Sequence, residues 1–226
     1  MIWAEPNLEG RFLPMPPDSA VGPRKYADVL DAAYVALKKQ SRRNRVIGGM
    51  TWTAGVIRPK YFIEDMERSN GRPPRMDFYG HNPFSTRYPD LIDKPAAPAT
   101  RDFGDIDSLH RNVRSKYKGS YYQYRRDTPR LWLSEYTVQS DRNSRAFSFH
   151  VSREQQARWL QRAYEIADDK RLRLHAGLVQ PPRRADQRGV RAHNRPDDQR
   201  RRAQALLRRL PGGGAGVRLR RRRQVR

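Results

Sequence analysis

Cysteine is absent from the 226 residues, which excludes disulfides and thiolate metal centres. Long apolar runs are absent too: none approaches the roughly 20 residues that span a bilayer, so no membrane partner is expected. No basic, apolar, small-residue leader opens the chain. A glycine-rich phosphate loop after a strand is missing, which removes the usual mark of a nucleotide-binding sheet. The five histidines (His81, His110, His150, His175, His193) lack ligand-like spacing, so neither a metal nor any other cofactor is expected.

What is present falls into two parts. Residues 1–167 alternate strand-like and helix-like segments. Met1–Ala4 is a short apolar strand candidate, followed by a proline-rich loop. Tyr26, Val29, Leu30, Ala33, Tyr34 and Leu37 recur at helical spacing. "RVIGGMTW" (Arg45–Trp52) reads as a strand, with a glycine pair that suggests a bend or close packing. A short helix is expected over Lys60–Arg68 and a strand in "RMDFYGHNPF" (Arg75–Phe84). A helix follows over Asp107–Tyr117, and "RLWLSEYT" (Arg130–Thr137) is the strongest strand in the chain. Ser152 and Gln155 form a capping box that opens a helix through Ala167.

The order β-α-β-α-β-α-β-α implies parallel strands joined by right-handed crossovers. A doubly wound sheet and a (β/α)₈ barrel both fit that order. The missing phosphate loop disfavours the first. In the second, chemistry sits at the C-terminal ends of the strands, where Glu5 and Glu135 fall. A single glutamate at a strand end is ordinarily solvated. Two of them, each following a tryptophan-containing strand ("IWAE", "LWLSE"), form a pair that suits glycoside hydrolysis: one protonates the leaving oxygen while the other attacks the anomeric carbon or activates a water. Trp3, Trp52 and Trp132 could stack on sugar rings, with core packing the competing role, above all for Trp132 inside its strand, and Asn7 and Tyr136 follow the glutamates at positions suited to a pocket wall.

"IWAEPN", "RVIGGMTW", "MDFYGHNPF" and "RLWLSEYT", in this order, resemble strands four to seven of clan A glycoside hydrolases, the retaining cellulase-like and xylosidase-like (β/α)₈ enzymes. The resemblance covers residues 1–167. It implies a partial TIM barrel, a carbohydrate substrate, Glu5 as general acid/base and Glu135 as nucleophile, with carboxyl groups roughly 5–5.5 Å apart. His81 and Tyr79 match the positions from which the family's sixth strand reaches substrate or nucleophile, with Asn82 a further candidate. Ala4 stands where the family carries an asparagine that bonds the sugar 2-hydroxyl. On this reading three strands precede Met1 in the complete domain. Four strands alone leave two edges unpaired, so the chain as it stands is expected to be an aggregation-prone fragment with little turnover.

Residues 168–226 are the second part, and most of the charge lies there. Of the net +23, residues 171–226 supply +15, from 18 arginines against Asp186, Asp197 and Asp198, leaving +8 for residues 1–170. Composition predicts disorder. Arginine clusters that neutralise phosphates make nucleic-acid binding through this tail the alternative function. The residue types argue against selection for it: all of residues 171–226 except Asn194 have a codon beginning with C or G, as expected of a GC-rich gene read out of frame. Leu174–Pro181, shifted one base, can read Tyr-Thr-Leu-Gly-Trp-Tyr-Ser-Leu, similar to the family's eighth strand. The tail is therefore expected to be frameshifted and to bind polyanions only adventitiously.

Overall fold

The helical spacing between Tyr26 and Leu37 becomes helix α1 (Val21–Gln40) in a computed structural model of the chain. The structure describes residues 1–12, 16–17, 19–91, 94–120, 128–140 and 149–170, and the backbone of 173–174. The chain divides into two units, residues 1–181 and 182–226, and every described residue belongs to the first. The arginine tail beyond Leu174, with the disorder, frame change and nucleic-acid binding expected of it, lies outside the described residues.

The described part is a mixed α/β fold with four helices and a small parallel sheet. Strand β1 (Ile47–Trp52) leads into α2 (Pro59–Asp65), which opens on a proline where its missing N–H is not needed. Strand β2 (Phe78–Asn82) is followed by a 3₁₀ turn at Phe103–Asp105 and by α3 (Ile106–Tyr117). Strand β3 (Arg130–Leu133) precedes α4 (Arg153–Asp169). The expected capping box opens α4: Gln155 N donates to Ser152 Oγ at 3.2 Å and Ser152 N to Gln155 Oε1 at 2.9 Å. A two-residue strand β4 (Arg173–Leu174) pairs with Trp132–Leu133, so ordered backbone continues past the boundary expected at residue 168.

The strands lie side by side in chain order, β1-β2-β3-β4, and every pairing is parallel. Tyr79, Leu131 and Leu133 form one core with Tyr26 and Leu30 of α1, Phe62 and Ile63 of α2, Leu109 and Val113 of α3, and Ala163 and Ile166 of α4. Each large apolar side chain buried there contributes about 1.5–3 kcal/mol. Because side chains alternate along a strand, Phe78, Gly80 and Trp132 project from the opposite face. There the half-buried Phe78 and Trp132 rings meet edge-on at 5.5 Å. Among the described residues no helix is long and apolar enough to cross a membrane.

One expected element is not a strand. Met1–Ala4 runs beside β1 and makes two backbone bonds across to it, Ile2 N to Ile47 O (2.9 Å) and Glu5 N to Met50 O (3.0 Å). Trp3 and Glu5 have φ of 60° and 50°. That left-handed backbone rotates alternate peptides out of line and prevents a continuous ladder.

β1 carries its own irregularity: its register with β2 shifts between Gly48 and Thr51, with φ of 79° at Gly49 and 46° at Met50. A Cβ on Gly49 would stand 2.5 Å from the Tyr79 ring, in a backbone region that L side chains disfavour. Gly49→Ala is expected to destabilise the fold by about 2–4 kcal/mol, read as a lower midpoint in urea unfolding; an unchanged midpoint would show that this stretch is not packed as described.

Candidate active site

The segment that carries Glu5 is held at the C-terminal end of β1 by the residue two positions later. Asn7 is fully buried. Its Nδ2 donates to the carbonyls of Trp52 (3.0 Å), Ala54 (3.2 Å) and Ile57 (3.1 Å), and its Oδ1 accepts from Trp52 N at 2.8 Å. Gly55, at φ 74°, comes so close that a Cβ there would collide with Asn7. Upstream, the Tyr26 hydroxyl donates to Ile2 O at 2.9 Å. Glu5 is thus positioned from both sides, and its left-handed φ is strain held by surrounding bonds.

β2 ends at Asn82, whose Nδ2 donates to Glu5 Oε1 at 3.0 Å. Arg11 approaches the other carboxylate oxygen, with Nη2 4.0 Å from Oε2. Glu135 lies two residues beyond the end of β3, exposed to solvent. Burial of part of its carboxyl pushes its pKa above the ordinary range, the negative charge of Glu5 pushes it further, and Arg11 opposes them. The ends of three strands therefore bring Glu5, Asn82, Glu135 and Arg11 within electrostatic reach of one another. Asn82 is buried, and its Oδ1 has no hydrogen-bond partner, so one acceptor beside Glu5 is unsatisfied.

The other expected residues are placed differently. Asn7 commits its whole amide to backbone and acts as a clamp. Tyr79 and His81 are fully buried on the helix-facing side and spend their polar atoms on each other's neighbours. The Arg101 carbonyl can only accept, so His81 Nε2–H donates to it at 2.7 Å, leaving Nδ1 to accept from the Thr51 hydroxyl at 2.8 Å. Thr51 Oγ1 then accepts from the Tyr79 hydroxyl at 3.1 Å. Burial, reinforced by the Arg101 charge, pushes the His81 pKa down to about 4, so the ring is neutral near pH 7. Tyr136 is buried against Phe103, with ring centroids 4.6 Å apart. Burial and then the charge of Asp102 push its phenol pKa up, and its hydroxyl has no hydrogen-bond partner.

Trp3 is 47% exposed and donates its indole N–H to Arg11 O at 2.6 Å; Trp52 is half-buried. Arg11 is the site residue that sequence reasoning missed. It is one basic residue among 47, and no spacing rule connects it to Glu135. The loop after β2 is anchored by Arg87, which donates Nε and Nη2 to Asp102 (2.7 and 2.8 Å) and Nη2 to Asp105 (3.0 Å). An open depression of about 320 Å³ between α2 and α3, lined by residues including Glu64, Glu67 and Lys116, contains none of the strand-end residues. Among the described residues no group of three or more histidines and carboxylates is arranged to hold a metal.

Two pH effects follow, of opposite sign. Between the ordinary histidine value of about 6.5 and its folded value of about 4, only unfolded His81 takes up a proton. Stability is therefore expected to fall by about 3 kcal/mol as pH drops through that window, and a His81→Gln variant should lack this part of the slope in urea titrations. Glu135 has a raised pKa, so its ionisation opposes folding once pH exceeds the ordinary glutamate range. Glu135→Gln should raise the Tm at pH 7, and the gain should vanish below about pH 4; no gain at pH 7 would mean the two carboxylates do not repel. No family model matches the chain and no curated protein matches it, so the site's own geometry carries its reading.

Proposed function

We propose that this chain is the part of a retaining glycoside hydrolase that carries both reacting carboxylates, built on a partial (β/α)₈ barrel. The observation that carries the reading is that Glu5, bonded beside β1 and to Asn82 at the end of β2, and Glu135, just beyond β3, lie near enough for the charge of Glu5 to raise the Glu135 pKa. The sequential strand order and the single core shared by all four helices support the barrel. A doubly wound sheet reverses its strand order at a switch point and packs helices on both faces.

Glu135 attacks the anomeric carbon and forms a glycosyl ester as the glycosidic C–O bond breaks. Glu5 gives its proton to the departing oxygen. Glu5 then takes a proton from water, whose oxygen attacks the anomeric carbon and releases Glu135 as the carboxylate. Partial burial and the charge of Glu5 raise the pKa of Glu135 in the unliganded site, whereas the mechanism requires Glu135 ionised and a proton on Glu5 once the glycoside is bound. With Ala4 in place of the family's asparagine, the unpartnered Oδ1 of Asn82 is the acceptor beside Glu5 for a sugar hydroxyl. Trp3 offers an exposed ring face nearby.

The test traps a single event per molecule, which suits a slow catalyst. The full chain is incubated with 2-deoxy-2-fluoro-β-glycosyl fluorides of glucose, xylose, galactose and glucuronic acid, then digested for peptide mass mapping. One added fluorosugar on the peptide containing Glu135, absent in Glu135→Gln, is expected. An unlabelled chain across the series would overturn the assignment.

A further inference from the structure

Arg11 is the basic side chain that both carboxylates feel: its guanidinium lies 4.0 Å from Glu5 Oε2, and its charge acts on Glu135. At 4.0 Å it makes no hydrogen bond to Glu5. Its side chain is 61% exposed, and among the described residues its guanidinium donates to no acceptor. Its backbone is nevertheless fixed. Trp3 Nε1 donates to Arg11 O at 2.6 Å, and Arg11 N donates to Leu8 O at 3.3 Å. The next residue, Phe12, sits edge-on to Trp3 at 5.1 Å and to Tyr26 at 5.6 Å. Packing among Trp3, Phe12 and Tyr26 thus fixes the backbone from which an exposed guanidinium, with no hydrogen bond among the described residues, reaches toward Glu5.

Two neighbouring carboxylates repel any anion that approaches them. A guanidinium beside them, with its fork of donors free, offers a carboxylate two parallel charge-assisted hydrogen bonds. We propose that Arg11 makes this site selective for glycosides whose sugar bears a carboxylate, a uronide, its guanidinium holding that group while Glu5 and Glu135 act at the anomeric carbon. The inference rests on the glycosidase reading and adds the substrate class. If Arg11 were only a surface partner of Glu5, its removal would change neutral and anionic sugars alike.

The experiment titrates the full chain with methyl β-D-glucuronide and methyl β-D-glucoside, following binding by NMR line broadening of the sugar methyl signal, so turnover is not needed. The uronide is expected to bind about tenfold more tightly than the glucoside. In Arg11→Gln the ratio should fall to about one or below, and Arg11→Lys, with charge but no fork, should keep only part of it. The preference should shrink in about 0.5 M salt, since the guanidinium is exposed. Equal binding of both sugars by the parent chain, or a ratio unchanged in Arg11→Gln, would overturn the role of Arg11 and leave the glycosidase reading intact. Binding of neither sugar would overturn both.

Discussion

The amide of Asn7 fixes the geometry on which the site depends. Four hydrogen bonds to the backbone of Trp52, Ala54 and Ile57 join the start of the chain to the end of β1. An asparagine offers two donors and an acceptor in one rigid plane, and here none of that capacity faces water. Release of the clamp would leave residues 1–6 attached to the rest of the fold by two backbone bonds to β1, one bond from Tyr26 and the Asn82–Glu5 side-chain bond, weakening the hold on the left-handed conformation of Glu5. Glu135, by contrast, is placed by β3 itself, through its pairing with β2.

The site is held at some expense to stability. Glu5 and Trp3 sit at positive φ, two carboxylates repel, and Asn82 keeps a buried acceptor without a partner. Each of these disfavours the folded state by itself. The opposing contribution comes from the helix-facing side of the sheet, where Tyr79, Leu131 and Leu133 are buried, and where the Tyr79–Thr51–His81–Arg101 chain satisfies its polar atoms in sequence. One face of the sheet thus stabilises, while its upper rim carries groups that would relax if released.

Much of this was legible in the chain. α1, α3 and α4 were visible as helical spacing, with α4 opening at the expected Ser152 cap, and the strands around Gly48, Tyr79 and Trp132 were visible as apolar segments between turn signals. The candidate carboxylates were readable because each follows a short apolar segment that contains a tryptophan, although only the one before Glu135 is a strand. Less readable was the side to which neighbouring residues turn. The resemblance implies that Tyr79 and His81 reach substrate, yet alternation along β2 aims them at the helices and gives the rim to Asn82. Asn7 was expected on a pocket wall, and its partners, some 45–50 residues away, cannot be read from local spacing.

By itself the sequence determined the alternation of strands and helices from β1 onward, the absence of thiol chemistry and the presence of two glutamates that each follow an apolar, tryptophan-containing segment, because these depend on residue type and local period. Only the tertiary structure decided that Met1–Ala4 lies beside β1 without a ladder, that Asn82 rather than His81 meets Glu5, and that Arg11 lies beside Glu5. Those outcomes depend on parallel register and on hydrogen bonds between distant segments, and such contacts become defined only when the sheet assembles.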